Sequence, residues 1–217
     1  MDNTTSMDHV EFTDRRSLPM MALRGLTVFP GMMLTFEVER SMSIAALNMA
    51  MSDDQIIYLV PQIDIATDIP TPEDVYGVGT VCRIKQMMKQ PGSKTVRVMA
   101  EGIERGRTLA VRTDTPSFVA EVEPLADAAE RKTARTEALI RHCCNLFDAY
   151  VTVSGNMAPE SVITLLGSTN AGFVSNFIAQ HVFLRPEQKQ ELLEETRPSR
   201  RLTLLSKMLL HETSVLG

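Results

Sequence analysis

Near its C-terminus the chain carries HETSV (211–215), a histidine beside a glutamate on a segment whose apolar spacing predicts a helix. That pair is the first half of the zinc-protease signature H-E-x-x-H, where two histidines one turn apart hold the metal and the glutamate is general base. Val215 stands where the second ligand belongs, so the zinc reading fails. GVGTVC (77–82) opens like a dinucleotide-binding G-x-G-x-x-G loop but lacks the third glycine. A strand pattern follows it, where a helix N-terminus would have to receive the pyrophosphate. The sequence contains neither G-x-x-x-x-G-K-[ST], the phosphate loop, nor G-x-S-x-G, the nucleophile elbow. Cys143 and Cys144 are neighbours on one predicted helix and point about a hundred degrees apart, so they cannot clasp one metal ion. Cys143 falls on the apolar stripe and reads as core. His9, His142, His181 and His211 are scattered. The expectation is a chain with no catalytic residues, no metal site and no cofactor of its own.

Charge points the same way. The net charge is −5, with 44% hydrophobic and 23% charged residues, the balance of a folded protein. Basic residues do cluster, in DRRS (14–17), in ERGR (104–107), at Arg197, Arg200 and Arg201, and along Arg83, Lys85, Lys89 and Lys94. With few aromatics between them and an acidic total, they read as solvated charge, and nucleic acid lacks its usual electrostatic support. The opening MDNTTSMDHVEFTDRRS has no apolar signal region, and no run of about 18 apolar residues exists to span a membrane. Three cysteines, two adjacent, fit reduced thiols better than a disulfide framework, so the expected location is the cytoplasm.

The elements that would position any site change character near residue 125. Before it, seven runs rich in Val, Ile, Thr or Phe alternate with turn residues: 18–25, 34–38, 55–60, 79–88, 94–103, 107–113 and 117–125. KQPGSK (89–94) reads as a hairpin loop. Strands this closely spaced suggest a sandwich or barrel. One helix interrupts them, with Ser41 as expected N-cap and Ile44, Leu47 and Met51 at helical spacing. The loop PQIDIATDIPTPED (61–74) has the length of a functional or mobile segment. After residue 125 the period becomes 3.6, with Leu139, Cys143, Leu146, Phe147 and Tyr150 on one stripe. Further helices are predicted over 158–167, from 171, from 186 and from 198. The last one keeps its apolar stripe to the end of the chain, as if it ran on into more protein.

Fourteen methionines are unevenly placed. Met32 and Met33 follow a Phe-Pro-Gly turn, and Met87 and Met88 precede the hairpin loop. Strand alternation from Cys82 and Ile84 puts Met87 on the outward face and Met88 at the inner fringe. Methionine is unbranched and polarizable, suited to a surface that must accept many side-chain shapes.

From LPMMALRGLTVFPGMMLTFEV through IYLVPQID, PTPEDVYGVGTV and VRVMAEGIERGR, the chain resembles the N-terminal domain of Lon ATP-dependent proteases, block by block and in order. FVSNFIAQHVFL and QKQELLEETRPSRRLTLLSKML resemble its later helices, so the likeness runs over about 18–212. It departs at Asn170 and Asn176, where that family often has Asp. The resemblance implies an α+β fold: a PUA-like β-barrel with one inserted helix, followed by a C-terminal α-helical bundle. It divides the chain into a polar tail (1–16), the barrel (17–125) and the bundle (126–217), whose last helix would lead to an AAA+ ATPase and a Ser-Lys protease domain. ATP and Mg²⁺ would bind only in that ATPase, and the assembled enzyme would be a homohexamer. The function implied is recognition of misfolded or degron-bearing proteins. On this reading Phe29, Pro30, Met32, Met33, Met87 and Met88 line an exposed apolar patch that grips unfolded segments. A stand-alone LON-domain adaptor and an RNA-binding PUA-like module are the alternatives.

Overall fold

The computed structural model describes residues 14–89, 91–155, 163, 165 and 167–216. Six strands come first: β1 (Arg16–Leu23), β2 (Met33–Val38), β3 (Ile56–Pro61), β4 (Val78–Lys89), β5 (Val96–Arg112) and β6 (Phe118–Pro124). Helix α1 (Ser41–Met51) lies between β2 and β3. Four further described helices follow: α2 (Ala134–Ser154), α3 (Ala171–His181), α4 (Pro186–Glu194) and α5 (Pro198–Leu216). The helix expected over 158–167 falls largely outside the described residues. Among those residues no helix is long and apolar enough to cross a membrane.

The strands form one sheet in the order β2-β5-β4-β3-β1-β6, and β5 also pairs with β6. The pairings therefore run β5-β4-β3-β1-β6 and return to β5, with β2 added on the outside. This works because β5 is 17 residues long. It meets β2 with residues 96–101, β4 with 96–107 and β6 with 106–112. The sequence pattern splits this strand into 94–103 and 107–113, with Gly102 near the end of one run and Gly106 just before the next. Both glycines are places of close approach instead. A Cβ at Gly102 would overlap the Phe29 carbonyl, and one at Gly106 would overlap the Val122 side chain.

Alternation along the central strands feeds two cores. Leu18, Met20, Ile56, Tyr58 and Val81 turn toward Phe118, Ala120 and Val122. Met21, Leu23, Ile57, Leu59, Cys82 and Ile84 turn the other way, toward β2 and α1. A strand buried on both faces needs a continuous apolar run, which is what IIYLVP in β3 supplies. Tyr58 keeps its phenol satisfied by donating to the Gly106 carbonyl at 2.8 Å. A third core joins α2, α3, α4 and α5 through residues such as Cys143, Phe147, Ile178, Leu192 and Leu205, and it includes Phe29, Met32 and Val78 from the sheet. Burial pushes the Cys143 thiol up to about 12, so it is inert packing.

Candidate functional site

Phe29-Pro30-Gly31-Met32 is a reverse turn with Pro at the second position and Gly31 at φ 78°, closed by Met32 N–H donating to the Phe29 carbonyl at 3.1 Å. Two backbone bonds fasten it to β5: Gly31 N–H to the Gly102 carbonyl and Gly102 N–H to the Met32 carbonyl, both 2.8 Å. The turn does not project into solvent. Helix α3 lies on it, and the Gln180 side chain accepts from Phe29 N–H at 2.9 Å and donates to the Thr27 carbonyl at 3.1 Å. Phe29 is fully buried and Met32 is 5% exposed, while Pro30 is half-buried. Phe29 and Met32 therefore cannot line an exposed patch: the turn is a joint between sheet and helices.

The other methionines are placed differently from the alternation reading. Met33 and Met88 are 47% and 46% exposed, whereas Met87 packs partly against the β2–α1 core. The reason is a bulge between Ile84 and Gln86, which shifts the phase of β4 by one residue and turns Met87 inward and Met88 outward. Across the outer face of β2, β5 and β4, Met33 stands opposite Glu101, Met99 opposite both Thr35 and Gln86, and Met88 opposite Arg97. Met33, Met99 and Met88 thus run diagonally over three strands, flanked by the ion pairs Arg97–Glu37 (3.1 Å) and Lys85–Glu101 (3.0 Å). Met99 is not among the residues named from the sequence, although alternation along β5 would have placed it on this face, and nothing in the sequence marks the bulge.

A second exposed apolar group was missed altogether. Ile63, Ile65 and Ile69 in the 61–74 loop stand 46%, 51% and 80% exposed. The loop is stitched down from beneath. The fully buried Gln62 amide donates to the Asp64 and Thr67 carbonyls at 2.7 and 2.6 Å and accepts from Arg40 at 3.1 Å. Arg24 adds a 2.8 Å ion pair to Asp68, which holds that carboxyl below its usual range.

Behind these surfaces, two arginines that the sequence presents as solvated charge are buried. Arg105 on β5 is 3% exposed and Arg201 on α5 is wholly enclosed. They share the Asp127 carboxylate. Arg201 binds it through two nitrogens at 2.7 and 2.9 Å, and Arg105 binds it at 2.9 Å. Arg105 also donates to the Leu193 carbonyl and Asn176, and Arg201 to Ser175 and the Glu195 carbonyl. Burial, then the neighbouring Arg201, push the Arg105 pKa down, and Asp127 opposes this. With so many acceptors arranged on its fork, the guanidinium keeps its proton. Asn176 is buried here and uses both ends of its amide, accepting from Arg105 at 2.7 Å and donating to the Pro30 carbonyl at 3.2 Å. An Asp carboxylate could not make the second bond. Asn170 caps α3 by accepting from Phe173 N–H.

Lys189 on α4 donates to the Gln180 carbonyl at 3.1 Å, and burial lowers its pKa from the ordinary 10.5 to about 8. Between pH 8 and 10.5 the unfolded chain then binds more protons than the native one, so this residue makes stability rise with pH across that window. Chemical denaturation at pH 7.5 and 10 should show the rise in wild type and a smaller one in Lys189→Met; equal slopes would refute it.

The sequence matches the model of the "ATP-dependent protease La (LON) substrate-binding domain" over residues 17–211. The chain belongs to the Lon substrate-binding domain family. The Lon protease of Clostridioides difficile is 36% identical over 218 aligned residues, covering 99% of this chain and 27% of the relative. That of Syntrophomonas wolfei is 38% identical over 93% of the chain and 24% of the relative. The chain thus spans about a quarter of the length of the curated Lon proteases it matches. The fold is that of solved Lon N-terminal domains: one from Mycobacterium avium complex (TM-score 0.71, 19% identity, 92% of this chain and 98% of that one) and one from Xanthomonas campestris (TM-score 0.62, 18% identity, 90% and 98%).

Proposed function

We propose that this domain recognises substrates for an ATP-dependent Lon-type serine protease, binding exposed apolar segments of misfolded or regulatory proteins. The observation that carries this reading is the pair of outward-facing apolar groups, the Met33–Met99–Met88 diagonal and the pinned isoleucines of the 61–74 loop. Large apolar side chains held in water by a fastened scaffold mark an interaction surface. In this reading the strand ring is a PUA-like barrel, the helices from α2 onward are a C-terminal bundle, and the parent protein works in the cytoplasm as a homohexamer. ATP and Mg²⁺ act in the remainder of such a protease, since this sequence has no phosphate loop, and peptide cleavage is likewise expected there. Its matched relatives are whole Lon proteases, which favours this reading over a stand-alone adaptor.

A few methionines and isoleucines give only a few kcal/mol before ordering costs, so one domain should bind with a Kd in the ~10 μM to mM range. Several copies on one assembly would raise it by avidity. The test is a titration with reduced, carboxymethylated lactalbumin as a permanently unfolded probe. The double variant Met33→Ser/Met88→Ser, at sites already half in water, should stay folded and bind about tenfold more weakly. Unchanged affinity would remove the methionine diagonal from the site.

A further inference from the structure

Peroxides ordinarily find a protein's cysteine thiolates first, because the thiolate is the better nucleophile. In this domain those thiols are shielded. Cys82, Cys143 and Cys144 are all buried, and burial raises the pKa of each. The sulfur that meets water is thioether. Among the described methionines, Met33, Met51 and Met88 are exposed, Met99 is half-buried, and Met20, Met21 and Met32 are enclosed in the cores. Two of the three exposed sulfurs therefore stand on the outer face of β2, β5 and β4, with Met99 between them. Met51 ends α1, which packs on the opposite face of β2 with Phe36 and Val38.

The composition of that outer face decides what oxidation does there. Met33 stands opposite Glu101 and Met88 opposite Arg97, and those two charges are themselves paired with Lys85 and Glu37. The methionines are thus the apolar part of a face that is otherwise polar. One oxygen added to each sulfur converts an apolar tip into a strong hydrogen-bond acceptor. Direct cross-strand neighbours lie within reach of one another, so Arg97 can donate to an oxidised Met88. Neither Met33 nor Met88 belongs to a core, so the new oxygen disturbs no packing. The fold survives and the apolar surface does not.

We propose that Met33 and Met88 form a reversible oxidation site whose state sets the strength of the domain's apolar grip. The oxidant is a peroxide. The thioether sulfur attacks one peroxide oxygen, so that an S–O bond forms as the O–O bond breaks. The proton on the transferred oxygen passes to the departing hydroxide, which leaves as water. Sulfur loses two electrons and the peroxide gains them. The reverse step takes a dithiol as reductant, through methionine sulfoxide reductases: two thiols become a disulfide and the oxygen departs as water. The sulfoxide sulfur is chiral, so both epimer-specific reductases are required for full return. The effect on binding rests on the substrate-recognition reading, whereas the oxidation site does not.

The test treats the whole chain with dilute hydrogen peroxide, stops it with catalase, and maps sulfoxides by peptide mass spectrometry. Met33, Met51 and Met88 should be oxidised well before Met20, Met21 and Met32, with the urea midpoint unchanged. Affinity for carboxymethylated lactalbumin, added only after catalase, should fall about tenfold, and the two reductases with dithiothreitol should restore it. Met33→Leu/Met88→Leu keeps every other methionine, Met51 included, and is compared only with itself before and after peroxide. Its ratio should stay near one. Enclosed methionines oxidised as fast as Met33 and Met88 would overturn the site. A tenfold loss that persists in the Leu variant would overturn it too, by placing the effect elsewhere. If Met33 and Met88 are oxidised and affinity holds, the switch fails while the recognition reading stands. If the untreated chain does not bind lactalbumin, the recognition reading falls and takes the switch with it.

Discussion

Asp127→Ala should cost this chain about 3–5 kcal/mol, because it leaves two buried guanidinium groups without their shared counter-charge. Arg201 is completely enclosed and Arg105 nearly so, and three of their bonds end on this one carboxylate. The carboxylate itself is 29% exposed, so water entering a truncated site should hold the loss toward the lower end of that range. Asp127→Asn keeps an acceptor but removes the charge, and should fall between wild type and Ala. Double-variant comparison gives the sharper reading. Arg201→Met alone leaves a stranded polar shell around Asp127, Ser175 and the Glu195 carbonyl, and combined with Asp127→Ala it should cost less than the sum of the two. Urea denaturation of the three variants decides it. A loss below about 1 kcal/mol for Asp127→Ala would mean that the arginines are already served by water or by the carbonyls.

That network shows where the sequence stops being informative. ERGR and RPSRR look like surface charge in one dimension, since nothing local distinguishes a buried arginine from a solvated one. Burial of Arg105 and Arg201 depends on Asp127 and Asn176 arriving from segments 22 to 74 residues away. The strands and most helices were legible because period and turn chemistry are local signals. Even the slip at β5 had a local cause: glycine that admits a neighbouring backbone reads just like glycine that ends a strand. The methionine surface was half legible. Density of methionine near two turns pointed to a sheet face where Met33 is exposed, but a single bulge in β4 exchanged Met87 for Met88, and Met32 is buried in the core of the helices. The isoleucine loop was visible as a long loop. Its stiffness came from Gln62, a residue whose amide reaches two carbonyls of the chain that follows it.

Phe29→Ala should be as damaging as the loss of Asp127, about 3–5 kcal/mol, and for the opposite chemical reason. Phe29 is fully buried, and it belongs to the core of the helices although it is carried by the sheet. Truncation opens a cavity bounded by elements from both halves. The turn that holds Phe29 cannot relax into it, because Gly31 and Gly102 tie that turn to β5 while Gln180 and Asn176 tie it to α3. Cavity cost rises with how poorly a site collapses, and this site is clamped on two sides. Phe29→Leu should recover most of the loss, since it refills the volume without a polar change. If the turn instead formed a solvent-facing grip, Phe29→Ala would leave the unfolding midpoint nearly unchanged and weaken binding to the unfolded probe. The expected pattern is the reverse: a large drop in stability for Phe29→Ala, little for Met88→Ala, and weakened binding only in the latter when both are assayed well below their unfolding transitions.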